Sequence, residues 1–358
     1  MNGSLFLKSL IALVLISTLS ACSSSKSNWT VIAHRSAPGY LPEHTLEGVA
    51  MAASWNVDFI EPDIVLTKDD VPVIIHDIHL DSSTDVAKKF AHKRRKDGKF
   101  YVIDFTVKEI KELRVLERGK LDPNDTTVFP KRFPRNRART AFQIPTLEEY
   151  LEMVEGLRQT TGYKLGIYPE IKAPHFHQTQ GKNIVEIVYA TLRKYGYEER
   201  PELIYIQSFD PAALKKLKFE IKTQIPLVQL VARNEWLEAD VNYDLMILPA
   251  GLMEVAEYAE GIGPDLGRLY SLNDETSAIE KTSFVDDAHK AGLLVHPYTH
   301  RSDSLPRGFK TDDELLNFVK LEAKADGIFS DFADRVLNWV PGSGKKYKPE
   351  TFRQSELL

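Results

Sequence analysis

The chain has 358 residues, is 43% hydrophobic and 27% charged, and carries a formal net charge of -5. These values suit a globular protein with two average domains or one α/β barrel with insertions. So weak a charge gives no general electrostatic reason to bind nucleic acid or an anionic membrane surface. The single cysteine, Cys22, excludes an internal disulfide.

Residues 1–21 read as a segment removed from the mature protein. Lys8 precedes an apolar run from Ser9 to Leu19. That run is short of the roughly 20 residues of a membrane span but suits a secretory signal. Leu19-Ser20-Ala21-Cys22 resembles a bacterial lipobox. Small residues before a lone cysteine, and a Ser-rich stretch after it, predict cleavage behind Ala21, lipid attachment at Cys22 and a tether over 22–28. The alternative is an ordinary signal peptide with a coincidental cysteine. The expected location is the periplasm, on the face of a membrane. By resemblance to enterobacterial lipoproteins, Ser23 fits sorting to the outer membrane.

From residue 29 the pattern alternates. Trp29 to Ala33 reads as a buried strand, and Thr45 to Trp55 as an amphipathic helix. Phe59 to Leu66 and Val71 to His76 read as strands joined by a turn at Lys68-Asp69-Asp70. From 82 to about 140 the alternation stops, with 17 Lys and Arg against 8 Asp and Glu. This stretch reads as a folded insertion with one short helix at Val107 to Glu117. Its basic runs read as a solvated or substrate-steering surface, since no aromatic-interleaved nucleic-acid motif accompanies them.

Beyond it, helices are expected near Pro145 to Arg158, Asn183 to Tyr195 and Pro211 to Lys218. Others are expected at Gly251 to Glu260, Asp274 to Lys290, Asp312 to Ala323 and Asp331 to Trp339. Strands are expected at Tyr163 to Lys172, Leu203 to Gln207, Thr223 to Val231, Leu245 to Leu248, Leu293 to Pro297 and Gly327 to Ser330. Repeated strand-then-helix order with about eight core strands predicts an α/β fold of the TIM (β/α)8 barrel kind over 29–341, followed by a tail over 342–358.

In such a barrel, chemistry collects where strands end. Ala33-His34-Arg35 ends the first strand. Glu61 and Asp63, two apart on the second, face the same way. Two carboxylates so close call either for a hard cation between them or for ion pairs with Arg or Lys; both readings are open. Glu170 and Lys172 also share a face, as a third metal ligand with an anion-binding cation or as a buried ion pair. His76-Asp77 ends a further strand. Two imidazoles, His34 and His76, beside three carboxylates could supply base and acid at one reaction centre. Gln207, Phe209 and Tyr298 fall at other strand ends, as pocket walls or as packing. The spacing of His175 and His177 hints at zinc, but no further His or Cys stands nearby. No Gly-x-Ser-x-Gly elbow or phosphate loop is present, so a protein nucleophile is not indicated.

Ala33-His34-Arg35, Leu41-Pro42-Glu43-His44-Thr45, Glu61-Pro62-Asp63, His76-Asp77, Pro169-Glu170-Ile171-Lys172 and Gly327-Ile328-Phe329-Ser330-Asp331 occur in this order. The ordered set resembles the bacterial periplasmic glycerophosphodiester phosphodiesterases from about Val31 to Trp339. The resemblance implies a TIM barrel binding Ca²⁺, with Mg²⁺ as the other candidate, at Glu61, Asp63 and Glu170. It implies catalytic His34 and His76, with Arg35 and Lys172 on the phosphate. It also implies hydrolysis of glycerophosphodiesters such as glycerophosphocholine and glycerophosphoethanolamine. The family usually has Gly where this chain has Ser36, a strained choice if the position needs positive φ. Two other readings stay open: a lysophospholipase D-type activity, and a surface lipoprotein that binds a host protein.

Overall fold

The computed structural model describes residues 29–120, 126–135, 141–273 and 275–340. The predicted signal, Cys22, tether and tail lie outside the described residues. In chain order the strands are β1 (Thr30–Ala33), β2 (Phe59–Ile60), β3 (Asp63–Leu66), β4 (Pro72–Ile74), β5 (Gly166–Ile167), β6 (Glu170–Ile171), β7 (Ile206–Ser208), β8 (Leu227–Val231), β9 (Gly261–Pro264), β10 (Tyr270–Leu272), β11 (Ile279–Lys281), β12 (Leu294–Val295) and β13 (Gly327–Ser330).

β2 and β3 are halves of one strand, and so are β5 and β6. Each break spans a proline, Pro62 or Pro169, which has no N–H for the ladder. Parallel pairing runs β13-β1-β2-β5 and, higher on the same wall, β3-β6-β7-β8-β9-β12. Asp326 N and Phe329 N donate to Val295 O and Pro297 O, which closes the β12 edge onto β13. The result is a closed eight-stranded TIM barrel with helices outside. Ile32, Tyr168, Val228 and Phe329 fill its interior, and Tyr168 stacks on Tyr205 at 4.8 Å. The larger apolar cluster lies between strands and helices, where Val49, Leu151, Val188 and Leu214 are buried. Helix starts follow side-chain chemistry. Thr45 accepts from Gly48 N ahead of the Leu46–Ser54 helix, and Thr146 and Glu149 form a reciprocal capping box ahead of Leu147–Thr161.

Three expectations are corrected. Leu245 to Leu248 is not a strand. Asn242 accepts from Asp244 N and Leu245 N and starts a helical turn, Tyr243–Met246, while Leu245 and Leu248 stay 60% and 51% exposed. The sixth barrel strand is β9 instead, placed where the Gly251 to Glu260 helix was expected to run out. Its Gly-Ile-Gly-Pro offers almost no side-chain pattern. The strand expected at Val71 to His76 is β4, and with the turn at Lys68-Asp69-Asp70 it pairs antiparallel with β3 as a hairpin rather than adding to the barrel wall. Asp274 to Lys290 is not one helix, because β11 pairs with β10 before the helix Phe284–Lys290 begins. The insertion helix is shorter than expected, Val107–Ile110.

The insertion packs on the β3–β4 hairpin through a core of its own, with Val65 and Val73 from the hairpin against Phe100, Val102, Phe105 and Leu113. Within it, Leu116 N and Gly119 N donate to Ser83 O and Ser82 O. This lays residues 116–119 along 82–83.

Candidate active site

At the C-terminal rim lies a cavity of about 250 Å³. His34, Arg35, Glu61, His76, Glu170, Gln207, Phe209 and Tyr298 all line it. The remaining two sequence-selected groups sit just behind. Asp63 shares the carboxylate cluster, and Lys172 Nζ is 2.8 Å from Glu170 Oε1.

Glu61, Asp63 and Glu170 offer oxygens within 4.8 Å of one another, and all three are buried. Burial raises the pKa of Glu61, and the charges of Asp63 and Glu170 raise it further. Glu170 is raised in the same way, against the pull of Lys172. Asp63 is the group held ionised: against burial, His76 and Lys172 keep its carboxyl well below the usual range. Its Oδ1 has no hydrogen-bond partner among the described residues. Excess negative charge and an orphaned buried oxygen fit a cation, and an all-oxygen donor set fits a hard divalent one. The three acids can therefore hold a metal ion.

β1 ends in a loop that holds left-handed backbone at Arg35 (φ 49), Ser36 (φ 77) and His44 (φ 63). The bend lets Arg35 N donate to Glu61 Oε2 at 2.7 Å and brings His44 Nε2 within 2.8 Å of Asp63 Oδ2. Arg35 NH1 donates to Glu43 at 3.1 Å. Against burial, Arg118 and Arg35 hold Glu43 well below the carboxylate range, so Glu43 is the counter-ion that aims Arg35.

His76 reaches the site by a route the sequence did not reveal. The hairpin reverses the chain, β4 ends at Ile74, and Ile75 N donates to Asp63 O at 3.0 Å. His76 is therefore carried back beside the acids. Each imidazole is backed by an aspartate. His34 Nδ1 donates to Asp331 Oδ1 at 2.6 Å, and His76 Nδ1 to Asp77 Oδ1 at 2.5 Å. A carboxylate only accepts, so each ring carries its proton on Nδ1 and keeps Nε2 as the reactive atom. Burial, then Arg35, lowers His34 to about 4. Burial, Arg35 and Lys172 lower His76 to about 3. Both rings are neutral near pH 7 in this state.

Gln207 leaves its buried Oε1 without a partner among the described residues, beside the cavity. Tyr298 spends its hydroxyl on Val231 O at 2.9 Å and presents a ring, 5.9 Å from that of Phe209. His177 is structural: its Nε2 accepts from Leu66 N at 3.1 Å and its Nδ1 lies 3.0 Å from Ala173 O. That contact accounts for it without zinc.

Sequence reasoning missed several rim groups. Asp265 follows β9, so it was hidden with that strand. Trp236 lines the cavity from the end of a 3-10 turn, Asn234–Trp236, and Glu238 and Arg301 from irregular loops. Asp77 and Asp331 stood in the quoted motifs without a role. The signal for them was adjacency: one follows His76 directly, and the other follows the last strand, which lies beside β1.

The rim of this TIM barrel gathers two imidazoles, Arg35 and an acid cluster, the groups that hydrolysis of an anionic ester calls for. The model of the glycerophosphoryl diester phosphodiesterase family matches residues 34–335. The chain is 40% identical over 359 aligned residues to the glycerophosphodiester phosphodiesterase of Haemophilus influenzae, covering 93% of this chain and 98% of that one. It is 36% identical over 348 residues to the enzyme of the same name from Treponema pallidum, covering 91% and 95%. Among solved structures, an Oleispira antarctica phosphodiesterase in complex with sn-glycerol-3-phosphate aligns with a TM-score of 0.58 at 20% identity, covering 87% of this chain and 96% of that one. The glycerophosphodiester phosphodiesterase of Thermotoga maritima aligns at 0.53 and 18%, covering 87% and 98%. At those identities the structural likeness speaks for the barrel. The chain belongs to the glycerophosphoryl diester phosphodiesterase family and is a phosphoric diester hydrolase.

Proposed function

We propose that this enzyme hydrolyses glycerophosphodiesters, glycerophosphocholine and glycerophosphoethanolamine among them, to sn-glycerol 3-phosphate and an alcohol, by imidazole acid and base catalysis through a cyclic glycerol phosphate. The observation that carries it is the pair of aspartate-backed imidazoles sharing one cavity with Arg35 and the three-acid cluster. A divalent cation held by Glu61, Asp63 and Glu170, Ca²⁺ in the favoured reading and Mg²⁺ otherwise, supplies positive charge for the phosphoryl oxygens.

The residues of the chain do the rest. Arg35 and Lys172 neutralise the phosphodiester. Gln207 offers its free acceptor to a glycerol hydroxyl, and Phe209 and Tyr298 wall the pocket. His34, neutral, takes the proton of the glycerol 2-hydroxyl at Nε2 as that oxygen bonds to phosphorus. The bond to the alcohol breaks, and the alcohol takes a proton from His76. His76 is neutral without ligand; a substrate anion entering beside Arg35 favours its protonated form. Water then opens the ring with the two roles exchanged.

General acid or base roles are typically worth about 10²- to 10⁴-fold. His34→Ala and His76→Ala should each lose at least about a hundredfold in turnover of glycerophosphocholine while keeping the fold. Near-normal turnover in either purified variant removes that histidine from the reaction.

A lysophospholipid substrate is the second reading, favoured by Trp236 on the cavity wall and by neighbouring Leu237, 44% and 83% exposed. A panel pairing glycerophosphocholine with lysophosphatidylcholine separates the two. We also propose lipid attachment at Cys22 and a periplasmic, outer-membrane location. Cys22→Ser should abolish fatty-acid labelling and release the protein from the membrane fraction; retained labelling would refute the lipobox.

A further inference from the structure

The insertion contributes two arginines whose positions the reaction scheme above does not use. Asp77 gives one oxygen to His76. Its other oxygen, Oδ2, accepts from Arg118 NH1 at 2.8 Å and Ser82 Oγ at 2.7 Å. Asp331 gives one oxygen to His34, and its Oδ2 accepts from Arg132 NH2 at 2.7 Å and Arg301 Nε at 3.0 Å. The same pattern thus occurs twice at one cavity, behind each of its two imidazoles.

We infer that the insertion is part of the proton-transfer machinery: Arg118 and Arg132 are positioning residues that lock Asp77 and Asp331, and through them the Nδ1–H tautomer and ring angle of His76 and His34.

Each arginine is itself fixed from behind. Arg118 sets its remaining nitrogens on Glu43, NH2 at 2.6 Å and Nε at 3.2 Å. Arg132 sets Nε and NH2 on Asp303 at 2.8 and 3.0 Å and lies over the Phe129 ring at 3.7 Å. A planar fork held on two sides allows its carboxylate one orientation, which a flexible ammonium does not. The insertion's separate apolar core gives Arg118 a rigid base. Arg118 also joins Asp77 to Glu43, the counter-ion of Arg35. The acid arm and the phosphate-binding arginine are therefore braced by one side chain.

The competing account is that both arginines only staple the insertion to the barrel. Kinetics separates the two, and the inference rests on His76 as acid and His34 as base. An alkyl ester such as glycerophosphocholine needs its leaving alcohol protonated; a glycerophospho-p-nitrophenyl ester does not. Arg118→Gln should lose at least tenfold more kcat on the alkyl than on the aryl ester. His76→Ala, run alongside, should show the same split more strongly. Equal losses in Arg118→Gln beside a split in His76→Ala would overturn the inference and leave the reaction scheme standing. No split in His76→Ala removes the acid role itself, and the inference falls with it.

If Arg118→Gln does not fold, Ser82→Ala removes the second donor to the same oxygen and should give the split in weaker form, about threefold. For the other arm, protein labelled with ¹⁵N-histidine is read by NMR. Arg132→Gln should shift or broaden the Nδ1–H resonance of His34 and leave that of His76 in place, whereas stapling alone predicts that both move or neither does. Arg132→Lys should restore the resonance only in part.

Discussion

Ser36 sits at φ 77, with its buried hydroxyl facing that of Tyr150. A side chain in that region costs about 1–2 kcal/mol, against which glycine adds about 0.4–1 kcal/mol of unfolded-state entropy. Ser36→Gly should therefore raise stability by up to about 1.5 kcal/mol in urea melts; a clear loss would mean the hydroxyl has a role.

A second residue makes a pH test. His296 is buried against Tyr168, whose hydroxyl is 3.0 Å from its Nδ1, and burial lowers it to about 4. The folded value lies below the ordinary 6.5, so the barrel holds the neutral ring. Its stabilisation is complete above pH 6.5 and is lost as pH falls toward 4, by about 3 kcal/mol. His296→Asn keeps an oxygen near the Nδ1 position and should lose less stability between pH 6.5 and 4 than the wild type; an identical decline would assign the acid sensitivity elsewhere.

At this scale the sequence was informative because the reactive residues sit at strand ends in short motifs. The backing groups were not legible, since Asp331 meets His34 across 297 residues and only the closed barrel brings β13 beside β1.

Among the elements, seven of the barrel strands are legible as apolar runs, because a parallel strand is buried on both faces. β9 is not, and its glycines explain why. A Cβ on Gly263 would lie 2.7 Å from Leu230 Cδ2 and 3.3 Å from His296 O. The close approach of neighbours removed the very side chains that mark a strand. Gly263→Val should destabilise the barrel by about 1–3 kcal/mol through overpacking. Thermal melts matching wild type would show that the neighbours yield. Leu245 to Leu248 misled for the complementary reason: an apolar run of four residues has no readable period, and the cap at Asn242 decided it. The β3–β4 hairpin was read as two strands with the right turn, yet nothing local distinguishes an antiparallel return from a new barrel strand. That return is what carries His76 to the acids and gives the insertion its platform.

Across the whole molecule, the acids ordered by β2, β3 and β6 exist as a cluster only in the folded barrel. A cation that binds them binds the native state alone, and stabilises it by about 2.7 kcal/mol when present at a hundred times its Kd. Ca²⁺ should raise the melting temperature of the wild type and leave that of Asp63→Asn nearly unchanged. Activity reports the same cluster most directly. Purified enzyme, stripped with excess chelator and then given Ca²⁺ or Mg²⁺, is assayed for sn-glycerol 3-phosphate released from glycerophosphocholine. The three carboxylates predict silence in chelator and recovery with the ion; undiminished release in chelator would contradict them.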